Sequence, residues 1–233
     1  MCGRYLLTAP PSDLSDLLPH PSATLLWPNV PSRWNIAPTQ RILAVLREAD
    51  GDMVARLIRW GLVPHWSRDR GGPPLINARA ETLDTKASFR DAARRRRCLI
   101  PASGFYEWVS RDGAKHPHVI HLTSGQPFWF AGLWDTWTGP DGPVISTALI
   151  TVAANRDLAA LHHRMPVILP GADAAAAWLD HPAEAARASL VPLPEGLLTI
   201  RAVGPLVNSV QTDDPRCLEP PAAPPPTRQG SLF

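Results

Sequence analysis

The stretch CLIPASGFYEWVSRDGAKHPHVIHLTSGQPFWFAGLWDTWTGPDGPVISTALITV, residues 98–152, decides the fold class. It holds short apolar segments that are each closed by turn residues: Cys98–Pro101, Phe105–Val109, His118–Leu122, Phe128–Trp134 and Ile145–Val152. Segments of this length between Gly, Pro, Ser and Asp are typical of strands joined by tight turns. Arg111-Asp112-Gly113 predicts the turn of one hairpin.

The segments on either side of this stretch continue the pattern. Further strands are predicted at Arg41–Arg47 and Met53–Trp60, around the turn at 49–51, and at Val167–Leu169 and Leu198–Val203. Short helices are predicted from Ser12, from Ser88, after Asn155, over Ala172–Leu179 and over Ala183–Leu190. Because no βαβ unit repeats, we expect a single α+β domain with a curved, mainly antiparallel, barrel-like β core and short peripheral helices.

Composition excludes several classes of protein. The 23 Lys and Arg against 21 Asp and Glu give a formal net charge of +2, which excludes a histone-like polycation and an acidic solvating chain. The 27 prolines, more than twice the average share of about 5%, favour short strands and turns. No apolar run approaches the roughly 18 residues of a membrane span, and MCGRYLLTAP shows no secretory signal. A cytoplasmic protein is expected.

The sequence shows no pattern that predicts a cofactor or a metal. Its three cysteines, Cys2, Cys98 and Cys217, are odd in number and far apart, so they form no disulfide framework. It contains no CxxC, no HExxH and no phosphate-loop glycine pattern. We therefore expect neither a cofactor nor a metal.

Cys2 is the first candidate for chemistry. Removal of Met1, expected before a small side chain, leaves an α-amine and a thiol on adjacent carbons, and both are partly deprotonated near neutral pH. Such a 1,2-aminothiol condenses with an aldehyde to an imine, and the thiol then closes a thiazolidine ring. An inert terminal cysteine is the alternative.

Three other segments carry candidate groups. Residues 76–82 form a polar cluster in a strand-like setting, and Glu107 lies between aromatic residues, where desolvation raises a carboxyl pKa and suits it to general acid catalysis. His162 and His163 supply imidazoles beside Arg164. By itself each signal is weak, because a buried carboxylate or histidine is more often structural than catalytic.

Together with their flanks, these segments resemble the SOS response-associated peptidase family, the abasic-site processing proteins. The resemblance covers residues 1–218 and rests on motifs in family order: MCGRY (1–5), WNIAPTQ (34–40), RWGLVPHW (59–66), INARAET (76–82), RRCLIPASGFYEW (96–108), FAGLWD (130–135), ITVAAN (150–155) and HHRMP (162–166). Residues 219–233 form a separate Pro-rich tail, EPPAAPPPTRQGSLF, expected to be disordered or polyproline-like.

The resemblance implies a DNA repair enzyme that binds an abasic site in single-stranded DNA and forms a covalent thiazolidine crosslink to it, a lyase-like activity. Carried over, Cys2 is the nucleophile, Asn77 places its α-amine, Glu107 is the acid/base group that opens the deoxyribose ring, and His162 assists protonation and reversal. General acid/base catalysis of such a step contributes typically about 10²–10⁴-fold. The family name also records a thiol peptidase activity. Met1 is the one residue before Cys2 that such a self-cleavage would remove.

The resemblance implies a set of DNA contacts as well. Phosphate contacts are expected from Arg4, Arg79, Arg164, Lys86, Ser88 and Arg90. Base contacts are expected from Pro38 and Trp66, and Trp66 is predicted to be the one exposed tryptophan of the nine. The expected partner is therefore abasic single-stranded DNA, bound by a nucleoid-associated monomer without sequence preference.

The tail ends in Gln229-Gly230-Ser231-Leu232-Phe233, which resembles the short peptide that binds the replication sliding clamp. In that interpretation Gln229 bonds at the mouth of the pocket, and Leu232 and Phe233 fill an apolar groove. An unstructured end is the alternative.

Three other functions stay open. An N-terminal-nucleophile hydrolase, an autopeptidase or amidotransferase, also begins Met-Cys-Gly, but its Asn-Gly-Asp-type segment is missing. The second is a nucleic-acid-binding module that forms no covalent bond, whose function would not depend on Cys2. A zinc site would use His116, His118 and His121, but the first two share one face of a strand and the third points away.

Overall fold

The computed structural model of the chain describes residues 2–19, 25–48, 51–111 and 113–222. These residues form thirteen strands, five α-helices and four 3₁₀ helices. The strands are β1 Tyr5–Leu7, β2 Arg33–Ile36, β3 Arg41–Arg47, β4 Met53–Trp60, β5 Asn77–Arg79, β6 Arg97–Ala102, β7 Gly104–Arg111, β8 Ala114–Leu122, β9 Phe128–Gly139, β10 Gly142–Ala153, β11 Arg164–Pro166, β12 Ile168–Leu169 and β13 Leu198–Ala202. The α-helices are α1 Pro11–Ser15, α2 Ala87–Arg95, α3 Arg156–Ala159, α4 Ala172–Leu179 and α5 Ala183–Ala186. The 3₁₀ helices are Ala80–Thr82, Arg187–Ser189, Pro205–Asn208 and Pro215–Leu218.

Five of the described strands close into a barrel, in the order β10, β4, β3, β6, β9 and back to β10. All of these pairs are antiparallel except β10 with β4, which is parallel. The β9–β10 hairpin is the longest pairing and runs from Gly139↔Gly142 to Gly132↔Leu149. The predicted α+β fold with a barrel-like, mainly antiparallel core is therefore confirmed.

A second sheet packs against the barrel. Its strands run in the order β13-β8-β7-β1-β2 and are antiparallel throughout. Tyr5 of this sheet meets Trp60 and Phe130 of the barrel at ring-centroid distances of 5.5 and 5.8 Å. Such edge-to-face contacts fix the orientation of large rings in a core. They hold β1, and with it the N-terminal segment, against the barrel.

The barrel is widened at one end by an inserted segment. Where β9 and β10 separate, Val167 N donates to Ile150 O at 2.9 Å and Ala131 N donates to Val167 O at 3.0 Å. Thus β11 pairs with β10, and β12 pairs with β9. On its opposite edge, β10 pairs in parallel with β5. The C-terminal end of β10 therefore lies between β5 and β11.

Most predicted elements are confirmed, several at their predicted bounds. Strands β3 and β4 and helix α4 match residue for residue. Asn155 caps α3, its side chain accepting a hydrogen bond from Leu158 N at 3.1 Å. The strands from residue 98 to 152 are longer than predicted, because β9 and β10 continue to a turn at 139–142.

Two predicted helix starts are wrong by one residue. Helix α1 begins at Pro11, because proline is well suited to a first helical position that needs no N–H donor. Helix α2 begins at Ala87, with Lys86 and not Ser88 as N-cap and no side-chain cap bond. In α2 the burial of Phe89, Ala92 and Ala93 fixes the helix where capping does not.

The outer parts of the chain complete the description. Glu219, the first residue of the predicted tail, accepts a hydrogen bond from Gly204 N at 2.7 Å. The predicted clamp-binding residues Gln229, Leu232 and Phe233 lie outside the described residues. Within the described part of the chain, no helix combines the length and the apolar character that crossing a bilayer requires.

Candidate functional site

Cys2 lies three residues before the start of β1 and is fully buried. The side chain of Asn77, at the start of β5, donates from Nδ2 to Cys2 O at 2.8 Å. Asn77 Oδ1 is also buried, and no described residue donates a hydrogen bond to it. A buried amide oxygen without a donor costs free energy, so this atom is an acceptor held ready beside Cys2.

Glu107 reaches the same place from the second sheet. Strands β1 and β7 pair Tyr5 with Phe105, and Tyr106 N donates to Arg4 O at 2.9 Å. This antiparallel register brings Glu107 to the residues that precede β1. Burial raises the pKa of the Glu107 carboxyl. Burial also raises the pKa of the Cys2 thiol, and the negative charge of Glu107 raises it further.

His162 lies just before β11, beyond the C-terminal end of β10. Its Nδ1 is 2.9 Å from Arg164 N and 3.2 Å from Arg164 O. Burial lowers the pKa of His162 and favours the neutral imidazole. Its ring stacks on His163 with centroids 4.4 Å apart. The structure thus brings Cys2, Asn77 and Glu107 together and places His162 at the neighbouring end of β10.

Two predicted phosphate contacts have partners inside the protein. Arg4 donates from Nη1 to Asn35 Oδ1 and to Val207 O, both at 2.7 Å. Arg164 is largely buried and makes a bidentate pair with Glu81 at 2.7 and 3.0 Å, which lowers the pKa of that carboxyl. Arg164 also donates to Thr151 O at 2.5 Å. Both guanidinium groups therefore tie strands together, and their contact with DNA stays a prediction.

Other predicted residues share one groove with Asn77. This groove has a volume of about 530 Å³ and is lined by Asn77, Arg79, Thr82, Thr85, Lys86 and Phe89. Arg79 and Lys86 are exposed. The Lys86 ammonium lies 5.3 Å from the centroid of the Phe89 ring, and Arg79 forms no ion pair with a described carboxylate. The groove thus joins the candidate reaction site to two cations.

Trp66 lines a second groove, of about 210 Å³, together with Arg59, Ser88 and the loop at 71–74. All nine tryptophans lie in the described part of the chain, and Trp66, 54% exposed, is the only exposed one. The prediction for Trp66 is therefore confirmed as far as exposure goes. Its neighbour His65 is anchored on buried Asp135, which accepts from His65 N at 3.0 Å and lies 3.0 Å from His65 Nδ1.

A third groove, of about 410 Å³, contains two arginines that the sequence analysis did not select, Arg41 and Arg59. Pro38, half-buried, immediately precedes Thr39, which lines this groove with a backbone φ of +72°. Thr39 N donates to Trp60 O at 2.7 Å and fixes the turn on β4. The sequence did contain a signal for Arg41 and Arg59. Both lie nine residues from Asp50, the centre of the predicted hairpin turn, so the hairpin places them opposite each other.

The remaining predicted residues are placed as follows. Arg90 is exposed on α2, with its Nε 3.8 Å from Asp91 Oδ1, and Ser88 is half-buried at the Trp66 groove. Cys98 and Cys217 are buried free thiols. Among the described residues, no three His, Cys, Asp or Glu side chains gather closely enough to hold a metal ion, His116, His118 and His121 included.

Comparison with known proteins adds family information to this geometry. Residues 1–210 match the family described as SOS response associated peptidase (SRAP). The chain is 36% identical over 228 residues to abasic site processing protein YoqW of Bacillus subtilis (strain 168), across 94% of this chain and 99% of that protein. It is 32% identical over 202 residues to abasic site processing protein HMCES of Gallus gallus, across 74% of this chain and 60% of that protein.

Solved structures share the fold. A protein from Bacteroides thetaiotaomicron superposes with a TM-score of 0.80 over 95% of this chain and 100% of its own, at 20% identity. A protein from Bordetella bronchiseptica superposes with a TM-score of 0.72 over 87% of this chain and 100% of its own, at 29% identity. The barrel with its accessory sheet is therefore an architecture that distant sequences also adopt.

Proposed function

This chain belongs to the SOS response associated peptidase (SRAP) family, and we propose that it binds abasic sites in single-stranded DNA and links itself to them through Cys2. The relatives named abasic site processing proteins support the lesion as substrate. The setting of the N-terminal residue supports the covalent step. The proposal therefore depends on both the family and the local geometry.

The single observation that carries the covalent step is the contact between Asn77 and Cys2. Asn77 Nδ2 holds the Cys2 carbonyl at 2.8 Å, while Oδ1 of the same amide is buried without a donor from the described residues. Once Met1 is removed, the α-amine of Cys2 is a donor of matching chemistry for that oxygen. An amine that donates to Oδ1 keeps its lone pair directed elsewhere, toward an incoming aldehyde.

The proposed reaction balances without an external oxidant or reductant. The α-amine adds to C1′ of the open-chain sugar, and the carbinolamine loses water to give an imine. The thiol then adds to the imine carbon, so that a C–S bond forms and the thiol proton ends on the nitrogen. Because burial keeps the Cys2 thiol protonated, this proton has to be moved during ring closure.

Glu107 is suited to move protons in these steps. Its raised pKa, caused by burial, keeps a fraction of the carboxyl protonated at a higher pH than an ordinary glutamate. In the acid form it protonates the ring oxygen of the closed sugar and exposes the aldehyde. In the base form it accepts the proton of the carbinolamine or thiol. His162, whose lowered pKa favours the neutral ring, is a second proton acceptor in the proposal.

The grooves provide the binding part of the proposal. Arg79 and Lys86 are exposed cations in the groove that contains Asn77, and a phosphodiester on each side of the lesion would neutralise them. Trp66 offers an exposed ring for stacking on a base. Neither kind of contact selects a base sequence, which agrees with recognition of a lesion that has no base.

A denaturing gel tests the proposal. The full chain is mixed with a single-stranded oligonucleotide that holds one abasic site, and a band of slower mobility is expected. The intact mass of the adduct should equal protein without Met1 plus oligonucleotide minus one water. The Cys2→Ala variant should form no stable adduct, because it lacks the thiol. Cys2→Ser should form only an imine that needs borohydride to survive the gel.

Cys98→Ala is the matched control. Cys98 is also a fully buried free thiol, but it lies in the barrel strand β6. Its adduct should form at the wild-type rate. An adduct that persists in Cys2→Ala, or a wild-type chain that forms none, contradicts the proposed function.

A further inference from the structure

Arg41 and Arg59 occupy an unfavourable arrangement on the barrel surface. They are direct cross-strand partners in the antiparallel β3–β4 pair. Like charges at directly opposed positions destabilise a sheet. Natural proteins break local rules of this kind at functional sites, so the pair is a candidate for binding.

No carboxylate among the described residues compensates this charge. Arg41 donates to Leu57 O at 3.0 Å and Arg59 donates to Thr39 O at 3.2 Å, both of them uncharged acceptors. Arg59 Nε is buried and has no acceptor among the described residues. At the other end of the same hairpin, by contrast, Arg47 pairs with Asp180 and Arg56 pairs with Glu48. The absence of a partner is therefore specific to one end of the hairpin.

The pair lies in a groove that adjoins the groove of Trp66. Arg59 lines both the groove of Arg41 and the groove of Trp66. The Trp66 groove also includes Ser88 of α2. The preceding N-cap of α2, Lys86, lines the groove of Asn77. The Arg41 and Trp66 grooves thus share Arg59, and residues at the start of α2 line both the Trp66 groove and the groove of Asn77.

We propose that Arg41 and Arg59 form a phosphate-binding subsite for the same single strand, beyond Trp66. This inference rests on the proposed function. Two guanidinium groups on adjacent strands present paired N–H donors that match the oxygens of a phosphodiester. The proposed path of the strand runs from the cations beside Asn77, over the exposed ring of Trp66, to the groove of Arg41 and Arg59. A strand that fills it supplies the anion that this end of the hairpin lacks.

The test measures binding apart from crosslinking. Affinity is determined by fluorescence anisotropy with the full-length Cys2→Ala chain, for labelled single strands of about 16 and about 4 nucleotides, both centred on an abasic site. The variant is Arg41→Gln/Arg59→Gln in the same background. The matched control is Arg111→Gln/Lys115→Gln, which removes the same formal charge from the exposed end of the β7–β8 hairpin.

The subsite predicts a weakening of binding that depends on strand length. For the long strand, the slope of log K against log salt should decrease in magnitude by about 0.7, the contribution of the one phosphate that the variant no longer neutralises. The short strand is chosen to end before the Arg41 groove, and it should bind the variant as it binds the parent. Arg41→Lys/Arg59→Lys should retain most of the salt slope, because it keeps both charges. An equal weakening in the charge control, or an equal weakening for the short strand, overturns the subsite.

Stability measurements keep the test interpretable. Without DNA at low salt, the Gln variant should unfold at the wild-type temperature or above it, because the like-charge contact is relieved. A large decrease would assign the pair a structural role and overturn the proposal. Inorganic phosphate at constant ionic strength tests whether the pair binds a free anion instead. If phosphate stabilises the parent but not the Gln variant, and both chains bind the long strand equally well, the proposal is overturned as well.

A separate experiment tests the proposed function itself. The wild-type chain is mixed with the short abasic strand, and formation of the adduct is followed on a denaturing gel. No adduct contradicts the proposed function itself. A normal adduct together with an unchanged long-strand affinity in the Gln variant contradicts the subsite and leaves the proposed function standing.

Discussion

At the scale of single residues, burial decides which proton each candidate group holds. The same desolvation raises the pKa of the Cys2 thiol and of the Glu107 carboxyl and lowers that of the His162 imidazole. All three shifts favour the neutral form of the group. The site is therefore set up with its nucleophile protonated, and proton transfer rather than thiolate attack becomes the demanding part of the proposed reaction.

Glu107→Gln should slow adduct formation by about 10²–10⁴-fold, because it removes general acid/base catalysis and keeps the shape of the side chain. The acid form of Glu107 exists below its pKa, and burial places that pKa above the ordinary glutamate value. The wild-type rate should therefore have a limb that falls as pH rises through the raised pKa.

The measurement is a series of adduct time courses on denaturing gels across the acidic and neutral range. Glu107→Gln should lose the falling limb, while the dependence on deprotonation of the α-amine at higher pH should remain. A variant that keeps the falling limb at a reduced rate would show that another group supplies the proton.

At the scale of elements, helix α2 begins with a residue that suits phosphate binding better than helix stability. Its N-cap is Lys86, whose side chain makes no cap hydrogen bond, although Ser, Thr, Asp and Asn are the residues that stabilise this position. Lys86 is exposed in the groove of Asn77. A cation at the N-terminus also opposes the helix dipole. Helix α2 is thus less stable than it would be with a capping residue at position 86. A bound phosphate at this place would compensate the charge of Lys86.

Lys86→Ser should stabilise the fold by about 1 kcal/mol by capping α2. The same change should weaken binding of single-stranded DNA and reduce the salt slope by about 0.7, because the variant neutralises one phosphate fewer. Urea unfolding measures the first effect, and anisotropy in the Cys2→Ala background measures the second.

Lys86→Ala is the control for this trade-off. It removes the same charge without adding a cap, so binding should weaken equally and the free energy of unfolding should rise less than in Lys86→Ser. If Lys86→Ser binds DNA as tightly as the parent, Lys86 does not bind a phosphate.

Prediction from sequence was most accurate for elements with local signals. Strands β3 and β4 and helix α4 carry their own apolar patterns and end at turn residues, so their bounds were recovered. The starts of α1 and α2 were misplaced because a serine near each start suggested a cap. The proline at the first position of α1 and the buried face of α2 fixed those starts instead.

At the scale of the whole molecule, closure of the barrel limits the size of the side chains that fit in its interior. Gly132 lies where β9 passes between Cys98 of β6 and Leu149 of β10. A Cβ built on Gly132 would lie 2.6 Å from Ile100 Cδ1 and 2.8 Å from Cys98 Sγ. Those separations are shorter than atoms in contact allow, so a side chain here would have to displace both neighbours.

Gly132→Ala should therefore lower the free energy of unfolding by about 1–3 kcal/mol through overpacking. The measurement is reversible urea unfolding at neutral pH. Gly171→Ala is the control, because its Cβ would meet nothing within 4 Å, and it should change stability by less than about 1 kcal/mol. Equal effects in the two variants would contradict tight packing around Gly132.

The distribution of charge is also a property of the whole molecule. A formal net charge of +2 indicates a weak overall field. Arginines such as Arg47, Arg164 and Arg187 are paired with Asp180, Glu81 and Asp84, whereas Arg41, Arg59 and Arg79 have no partner among the described carboxylates. These three guanidinium groups line the grooves, so the local charge there exceeds what the total suggests.

The sequence by itself determined the family, the α+β class, most strands and helices, and the exposure of Trp66, because these follow from local patterns and short motifs. Tertiary structure alone decided the parallel β4–β10 pairing, the insertion of residues 164–169 between β9 and β10, and the partners of Arg4 and Arg164. It also brought Asn77 to Cys2, 75 positions away in the chain. Contacts at such separation depend on which segments pack together, and local periodicity carries no information about that choice.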